Sequence, residues 1–215
     1  MRDAIALAQQ KDSGQKATQN LQSGQLLYEE KCVHCHGGEG RGDGPVAPFL
    51  EPTPRDFTSA QFKIRSTPKG SLPTDRDLFN VISNGLPGTA MEGWGGVLTE
   101  EQRWQLVRYI KTFSQRFATE SPQPIDLRKN VSLSVKAIAK GEVLYRQMKC
   151  FLCHGQEGVG DGPITVTMRT VWNMPFDARN LTRGDQYKGG SLTEDIYRTI
   201  STGLAGTPMD AYADY

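Results

Sequence analysis

Two short stretches decide the fold of this 215-residue chain: CVHCH at residues 32–36 and CFLCH at residues 150–154. Together they hold all four cysteines of the sequence, and in each of them the second cysteine is followed directly by a histidine. Residues three and four positions apart on a helix lie on the same face. On a helical turn, each stretch therefore places two thiols and an imidazole close together.

This Cys-x-x-Cys-His spacing is the attachment motif of c-type haem. The two thiols can reach the two vinyl groups of one porphyrin, and the adjacent histidine can bind the iron through a ring nitrogen. A zinc site or a dithiol redox pair would draw on the same residue types. The sequence predicts two covalently bound haem c groups, held by Cys32, Cys35 and His36 in the first motif and by Cys150, Cys153 and His154 in the second.

Landmarks around the two motifs recur in the same order, which favours haem attachment over the other thiol chemistry. A constant spacing of landmarks across a loop of variable length indicates two copies of one domain. The recurring strings are GQLLY at 24–28 and GEVLY at 141–145, GDGP at 42–45 and again at 160–163, and GLPGTAM at 85–91 and GLAGTPM at 203–209.

The repeat predicts a first domain over residues 1–118, a linker over 119–133 that contains two prolines, and a second domain over 134–215. Each copy is small for a domain that relies on its side chains alone. A covalently held haem would fill much of the interior of such a domain. The modest hydrophobic content of 37% agrees with that arrangement.

The expected fold class is all-α, with two tandem domains of short helices and long loops wrapped around covalent haem. No stretch alternates like a strand for more than a few residues. Thr99-Glu100-Glu101-Gln102 is a capping box that opens a helix. Further helices are expected from about Gln22 and from about Ser134 up to the two motifs, and over 74–84 and 193–202.

These motifs resemble class I c-type cytochromes in a two-domain, two-haem arrangement, over nearly the whole chain from about Gly24 onward. The resemblance implies that His36 and His154 are the proximal iron ligands and that a methionine in a later loop is the distal ligand. It also implies that Pro45 and Pro163 offer their carbonyls to the other ring nitrogen of these histidines, which would fix the ring orientation.

The inventory of possible ligands points to Met91 and Met209 as the distal ligands. The chain has three histidines, and the third, His34, lies inside the first motif and cannot fold over to the opposite face of its own haem. No cysteine remains after four thioethers form. Of the six methionines only Met91 and Met209 obey the repeat, because they lie 118 residues apart, as the first cysteines of the two motifs do.

Four further residues are candidates for binding the haem propionates. Arg55 and Arg179 occupy similar places in the two copies, and a guanidinium suits a carboxylate; exposed loop arginines are the alternative. Trp94 and Tyr212 each follow the ligand methionine by three positions. Their N–H and O–H groups could reach a propionate, although plain packing would explain them equally well.

The charge of the chain is balanced, with 25 basic and 24 acidic residues. This balance argues against nucleic-acid binding and against a polybasic membrane-binding surface. No apolar run approaches the ~20 residues of a transmembrane helix. The expected partners are therefore other redox proteins, with no nucleic acid and no membrane span in this chain, although an anchor could lie outside it.

Histidine and methionine together fill both axial positions of the iron, which leaves no open site for a substrate. This arrangement predicts an electron carrier and not an enzyme. Two haems in one chain predict a relay of single electrons between redox proteins. The chain could act alone or as a subunit of a larger oxidoreductase or respiratory complex. The alternatives are a peroxidase-like dihaem enzyme and a haem-based ligand sensor, and both need an open or weakly held axial position.

Two expectations concern the ends of the chain. Haem attachment of this kind occurs outside the bacterial cytoplasmic membrane, which predicts a periplasmic or extracytoplasmic location. The first 15 residues lack a signal-peptide core, so we expect a signal or anchor before Met1. Only six residues follow Met209, whereas Met91 is followed by the capped helix. We therefore expect either that the natural chain continues past Tyr215 with a closing helix, or that a partner or the first domain covers the place of that helix.

Overall fold

The computed structural model describes residues 2–126, 134–170, 173, 175 and 177–213, without the side chains of residues 2–14, 16 and 17. Among these residues the ordered structure is helical, apart from one isolated antiparallel bridge between Arg169 and Pro175. The expected all-α class is confirmed. Within the described part of the chain, no helix is both long and apolar enough to span a bilayer.

Eight α-helices are present in the described residues, together with three short 3-10 helices. The α-helices are α1 (Arg2–Lys31), α2 (Val33–His36), α3 (Asp75–Asn84), α4 (Glu100–Lys111), α5 (Arg116–Thr119), α6 (Val135–Gln147), α7 (Phe151–His154) and α8 (Thr193–Thr202). Helix α1 starts far before Gln22, where the sequence predicts its beginning, because residues 2–21 are rich in alanine, glutamine and lysine. These residues favour helix without giving it an apolar face.

The chain divides into two compact units. The first unit comprises Met1–Gln61, Asp75–Gly85 and Thr89–Ser121, and the second comprises Phe62–Thr74, Leu86–Gly88 and Pro122–Tyr215. Each unit contains one Cys-x-x-Cys-His motif. The segment Phe62–Thr74 belongs to the first copy by sequence but groups with the second unit. Residues 127–133 of the predicted linker lie outside the described residues.

In the first unit, α1 packs along α4. Gly24 allows the close approach, because a Cβ at this position would lie 2.3 Å from the carbonyl oxygen of Gln105. Tyr28 is fully buried against the rings of Tyr109 and Phe113. The predicted capping box is present, since Thr99 accepts a hydrogen bond from the backbone of Gln102 and the Gln102 side chain accepts one from the backbone of Thr99.

In the second unit, α6 occupies the place in the repeat that the last part of α1 occupies in the first. Its N-terminus is capped by Ser134, whose hydroxyl accepts a hydrogen bond from Ala137 N at 3.1 Å. No residue of α6 is buried, and Val143 and Leu144 are 53% and 43% exposed. A Cβ at Gly141, the counterpart of Gly24, would meet no atom within 4 Å. The close helix packing of the first unit is therefore not repeated on this helix.

Candidate functional site

The first motif continues directly from the end of α1. Cys32 N donates to Tyr28 O at 2.8 Å, and His36 N donates to Cys32 O at 2.9 Å. The helical hydrogen bonds therefore run through the motif, with α2 as its last turn. This continuity places the two thiols of Cys32 and Cys35 and the ring of His36 on adjacent positions of one helical surface.

The second motif is reached through one additional residue. Five positions separate Tyr145 from Cys150, whereas four separate Tyr28 from Cys32. The additional residue is accommodated where Lys149 adopts a left-handed conformation with φ of 57°, and Cys150 N donates to Tyr145 O at 3.0 Å. The turn that follows is the same as in the first motif, with His154 N donating to Cys150 O at 2.9 Å.

A tyrosine joins each leading helix to the residue after the motif histidine. The Tyr28 hydroxyl donates to Gly37 O at 2.7 Å, and the Tyr145 hydroxyl donates to Gly155 O at 2.7 Å. Burial raises the pKa of both tyrosines, so both hydroxyls keep their protons. The recurring GxxLY strings contained this signal, but the spacing alone did not show which group the tyrosine would bind.

The ring of each motif histidine is held by a backbone carbonyl. His36 Nδ1 lies 3.0 Å from Arg55 O, and His154 Nδ1 lies 2.9 Å from Arg179 O. Because a carbonyl only accepts, Nδ1 carries the proton, and the lone pair of Nε2 remains available for a metal. Burial lowers the pKa of His36, which also favours the neutral ring.

The expectation that the carbonyls of Pro45 and Pro163 bind these rings is wrong. The GDGP turns face the backbone of the motif instead: Gly42 N donates to His36 O at 2.9 Å, and Gly160 N donates to His154 O at 2.8 Å. The turn thus satisfies the last carbonyls of the motif helix. The chain returns past the ring only later, at Arg55 and Arg179.

The two methionine loops are constructed alike. Each begins where a helix ends at a glycine with positive φ, Gly85 at 68° and Gly203 at 63°. A Cβ on these glycines would lie 2.6 Å and 2.7 Å from the carbonyl oxygens of Met91 and Met209, respectively. The backbone of each methionine is also held by a threonine hydroxyl two residues earlier, which accepts from Met91 N at 3.1 Å and from Met209 N at 3.2 Å.

Trp94 and Tyr212 have equivalent backbone positions at the ends of these loops. Trp94 N donates to Ile82 O at 2.9 Å, and Tyr212 N donates to Ile200 O at 3.0 Å. These bonds return the chain to the preceding helix in each unit.

Arg55 is half-buried, and burial lowers its pKa to about 10, so it remains a cation at neutral pH. Propionate binding by this side chain and by those of Trp94, Tyr212 and Arg179 stays a prediction.

Cys32, Cys150 and Cys153 do not have the lowered thiol pKa of a reactive dithiol pair. All four are free of disulfides. Burial, with a smaller contribution from Cys35, raises the pKa of the Cys32 thiol to about 12, and burial also raises the pKa of Cys150 and Cys153. A reactive dithiol needs a lowered pKa. Among the described residues, which include every cysteine and histidine, no cluster of three acidic, cysteine or histidine side chains could hold a zinc ion.

The geometry and the comparisons define the class of protein. Residues 19–110, which contain the first motif and Met91, match the family described as "Cytochrome C oxidase, cbb3-type, subunit III". The chain belongs to the c-type cytochromes, electron-transfer proteins that carry covalently bound haem c.

Two relatives are similar over most of the chain. The cbb3-type cytochrome c oxidase subunit CcoP of Azospirillum brasilense is 24% identical over 188 residues, which cover 86% of this chain and 54% of that protein. The chain therefore spans about half the length of this curated relative. A chain of the Kuenenia stuttgartiensis reducing HAO-like protein complex Kustc0457/Kustc0458 is 39% identical, with a TM-score of 0.85 over 89% of this chain and 87% of that chain.

Proposed function

We propose that this chain is a dihaem cytochrome c that relays single electrons between redox proteins, as a subunit of a larger oxidoreductase complex on the extracytoplasmic side of the membrane. The observation that carries the proposal is the equivalence of the two sites. Each has the same helical turn of thiols and imidazole, the same bond from histidine Nδ1 to a carbonyl and the same methionine loop. We assign one haem and one tandem domain to each.

In this proposal each pair of cysteines holds one haem covalently, so the cofactor cannot dissociate during turnover. His36 and Met91 would hold the iron of the first haem, and His154 and Met209 would hold that of the second. Bound haem supplies a one-electron iron couple, and a thioether ligand favours its ferrous state. The chain contributes fixed ligand orientation: the carbonyls of Arg55 and Arg179 hold the imidazoles, and the Thr89 and Thr207 hydroxyls hold the methionine backbones.

The proposed place in a complex follows from the relatives. One is named as an oxidase subunit, and the other is a chain of a complex whose name describes it as reducing. The two names share the setting of a multiprotein redox assembly. We infer that this chain likewise passes electrons to or from a protein that carries the substrate chemistry.

Two measurements on the purified holoprotein test the proposal. The intact mass after denaturation should exceed the polypeptide mass by two haems of roughly 0.6 kDa each. The ferric spectrum should show a weak red methionine-to-iron charge-transfer band at two-haem intensity, unchanged by cyanide or peroxide. A mass increase of one haem would contradict the dihaem assignment. A high-spin haem that binds cyanide would support the enzyme or sensor alternative instead.

A further inference from the structure

The segment Phe62–Thr74 comes from the first copy of the repeat, yet it is part of the second unit. It lies where the first copy is longer than the second. From Arg55 to Met91 there are 36 positions, whereas from Arg179 to Met209 there are 30. The additional residues are therefore not needed to build a methionine loop, because the second copy builds one without them. They are available for another role.

Arg65 is the residue of this segment that contacts the end of α8. Its side chain is 1% exposed. The guanidinium donates to four backbone carbonyls: Phe62 O at 3.3 Å and Pro68 O at 3.1 Å within the segment, and Thr202 O at 2.6 Å and Gly203 O at 3.5 Å at the end of α8. The last carbonyls of a helix lack partners within the helix, and a cation is favoured there. Arg65 therefore caps the C-terminus of α8 from a segment outside that helix.

The end of α8 is also the beginning of the Met209 loop. The backbone of Met209 and Asp210 lies directly on Gly203, where a Cβ would be 2.7 Å from each of Met209 O and Asp210 C. Leu204 N donates to Met209 O at 3.1 Å. Through these contacts, a shift of the Gly203 carbonyl would be transmitted to the backbone of Met209.

The same segment reaches the other side of the loop. Lys69 forms an ion pair with Asp210, the residue after Met209. Arg65 and Lys69 thus hold the loop at both ends, one through helix carbonyls and the other through a carboxylate. Arg65 offers the stronger restraint, because its pairing groups are buried whereas Lys69 and Asp210 are exposed to solvent.

We infer that Arg65 is a positioning residue for Met209, so that the second haem site depends on a segment of the first sequence copy. This inference rests on the proposed ligation of the second haem by Met209. It predicts that the second site cannot be made from its own repeat alone. The first copy would then supply a structural part of the second haem site in addition to its own motif and methionine.

The test uses the full-length holoprotein in a Met91→Ala background, in which the remaining red charge-transfer band reports Met209 alone. Adding Arg65→Met should abolish or shift that band and lower the midpoint potential of the second haem, while mass spectrometry still finds two haems. Arg65→Lys should restore part of the band, because an ammonium can bond to some of the same carbonyls. Lys69→Met should weaken the band less.

Arg103→Met is the matched control. Arg103 is a partly buried arginine of the first unit whose guanidinium donates to the Ser83 hydroxyl near the end of α3. Its replacement should leave the band of the second haem unchanged.

Should Met209→Ala itself leave the band intact, the proposed ligation fails. Should Met209→Ala remove the band while Arg65→Met and Lys69→Met leave its position and intensity unchanged, the positioning role of Arg65 is overturned. If Arg65→Met does not fold, the same comparison is made with Arg65→Lys and Lys69→Met. A band of unchanged position and intensity in both variants would overturn the positioning role.

Discussion

His36 Nδ1 lies 3.0 Å from the carbonyl oxygen of Arg55, and the same bond recurs in the second unit between His154 and Arg179 at 2.9 Å. The bond selects the tautomer in which Nε2 is free to bind a metal. It also separates two roles of the arginine. The backbone carbonyl orients the ring, and the half-buried side chain places a positive charge near the same site.

Replacing Arg55 by methionine should therefore change the redox potential without changing the ligands. The backbone carbonyl remains, so the red charge-transfer band should keep its intensity. Removing a nearby positive charge stabilises the ferric state, so the potential of the first haem should fall by an amount on the order of tens of millivolts. Spectroelectrochemical titration measures both. Arg41→Met, at an exposed arginine paired with Glu39, is the control and should leave both potentials unchanged.

Replacing Met91 by alanine should alter the first haem alone. The variant should lose the share of the red band that the first haem contributes, its potential should fall, and cyanide should bind at one haem per chain. Absorption and cyanide titration of the wild type and the variant measure this. An unchanged spectrum, or cyanide binding already present in the wild type, would show that Met91 is not the ligand.

The two equivalent helix glycines should respond differently to alanine, and only the substitution at Gly24 should lower the stability of the protein. A Cβ at Gly24 would lie 2.3 Å from the backbone oxygen of Gln105, so α1 and α4 must separate. We expect Gly24→Ala to destabilise the protein by about 1–3 kcal/mol. That loss outweighs the gain of about 1 kcal/mol in helix propensity.

Gly141→Ala is the matched variant, because a Cβ there would meet nothing within 4 Å. It should leave stability unchanged or raise it by about 0.5–1 kcal/mol. Denaturant unfolding of the holoprotein, followed by circular dichroism, measures both variants. Equal destabilisation by the two substitutions would mean that α6 is packed as closely as α1.

Removing the tyrosine hydroxyls should cost more in the first unit than in the second. Tyr28 is fully buried, so Tyr28→Phe removes a hydrogen bond that water cannot replace, although the Gly37 carbonyl keeps its bond from Gly40 N at 3.1 Å. We expect the free energy of unfolding to fall by about 1–1.5 kcal/mol. Tyr145 is only half-buried, so water can replace its hydroxyl, and Tyr145→Phe should cost about 0.5–1 kcal/mol. Denaturant titrations compare them, and a larger cost for Tyr145→Phe would contradict the difference in burial.

The sequence by itself determined the local features of this protein. The two motifs, the capping box at Thr99 and the recurring methionine loops depend on spacings within one turn or one loop, so their residue types identify them. The all-α class followed from the same local patterns. The structure contains these features because each of them depends on interactions between residues that are close in the sequence.

Only the tertiary structure decided which distant groups meet. Every residue has a carbonyl, so no side-chain pattern shows that Arg55, rather than Pro45, faces His36; the path of the loop decides it. The grouping of Phe62–Thr74 with the second unit likewise involves a contact between distant residues, because Arg65 donates to the carbonyl of Thr202, 137 positions away in the sequence. Such contacts arise from the burial and hydrogen-bond demands of the folded chain, and these demands leave no periodic trace in the sequence.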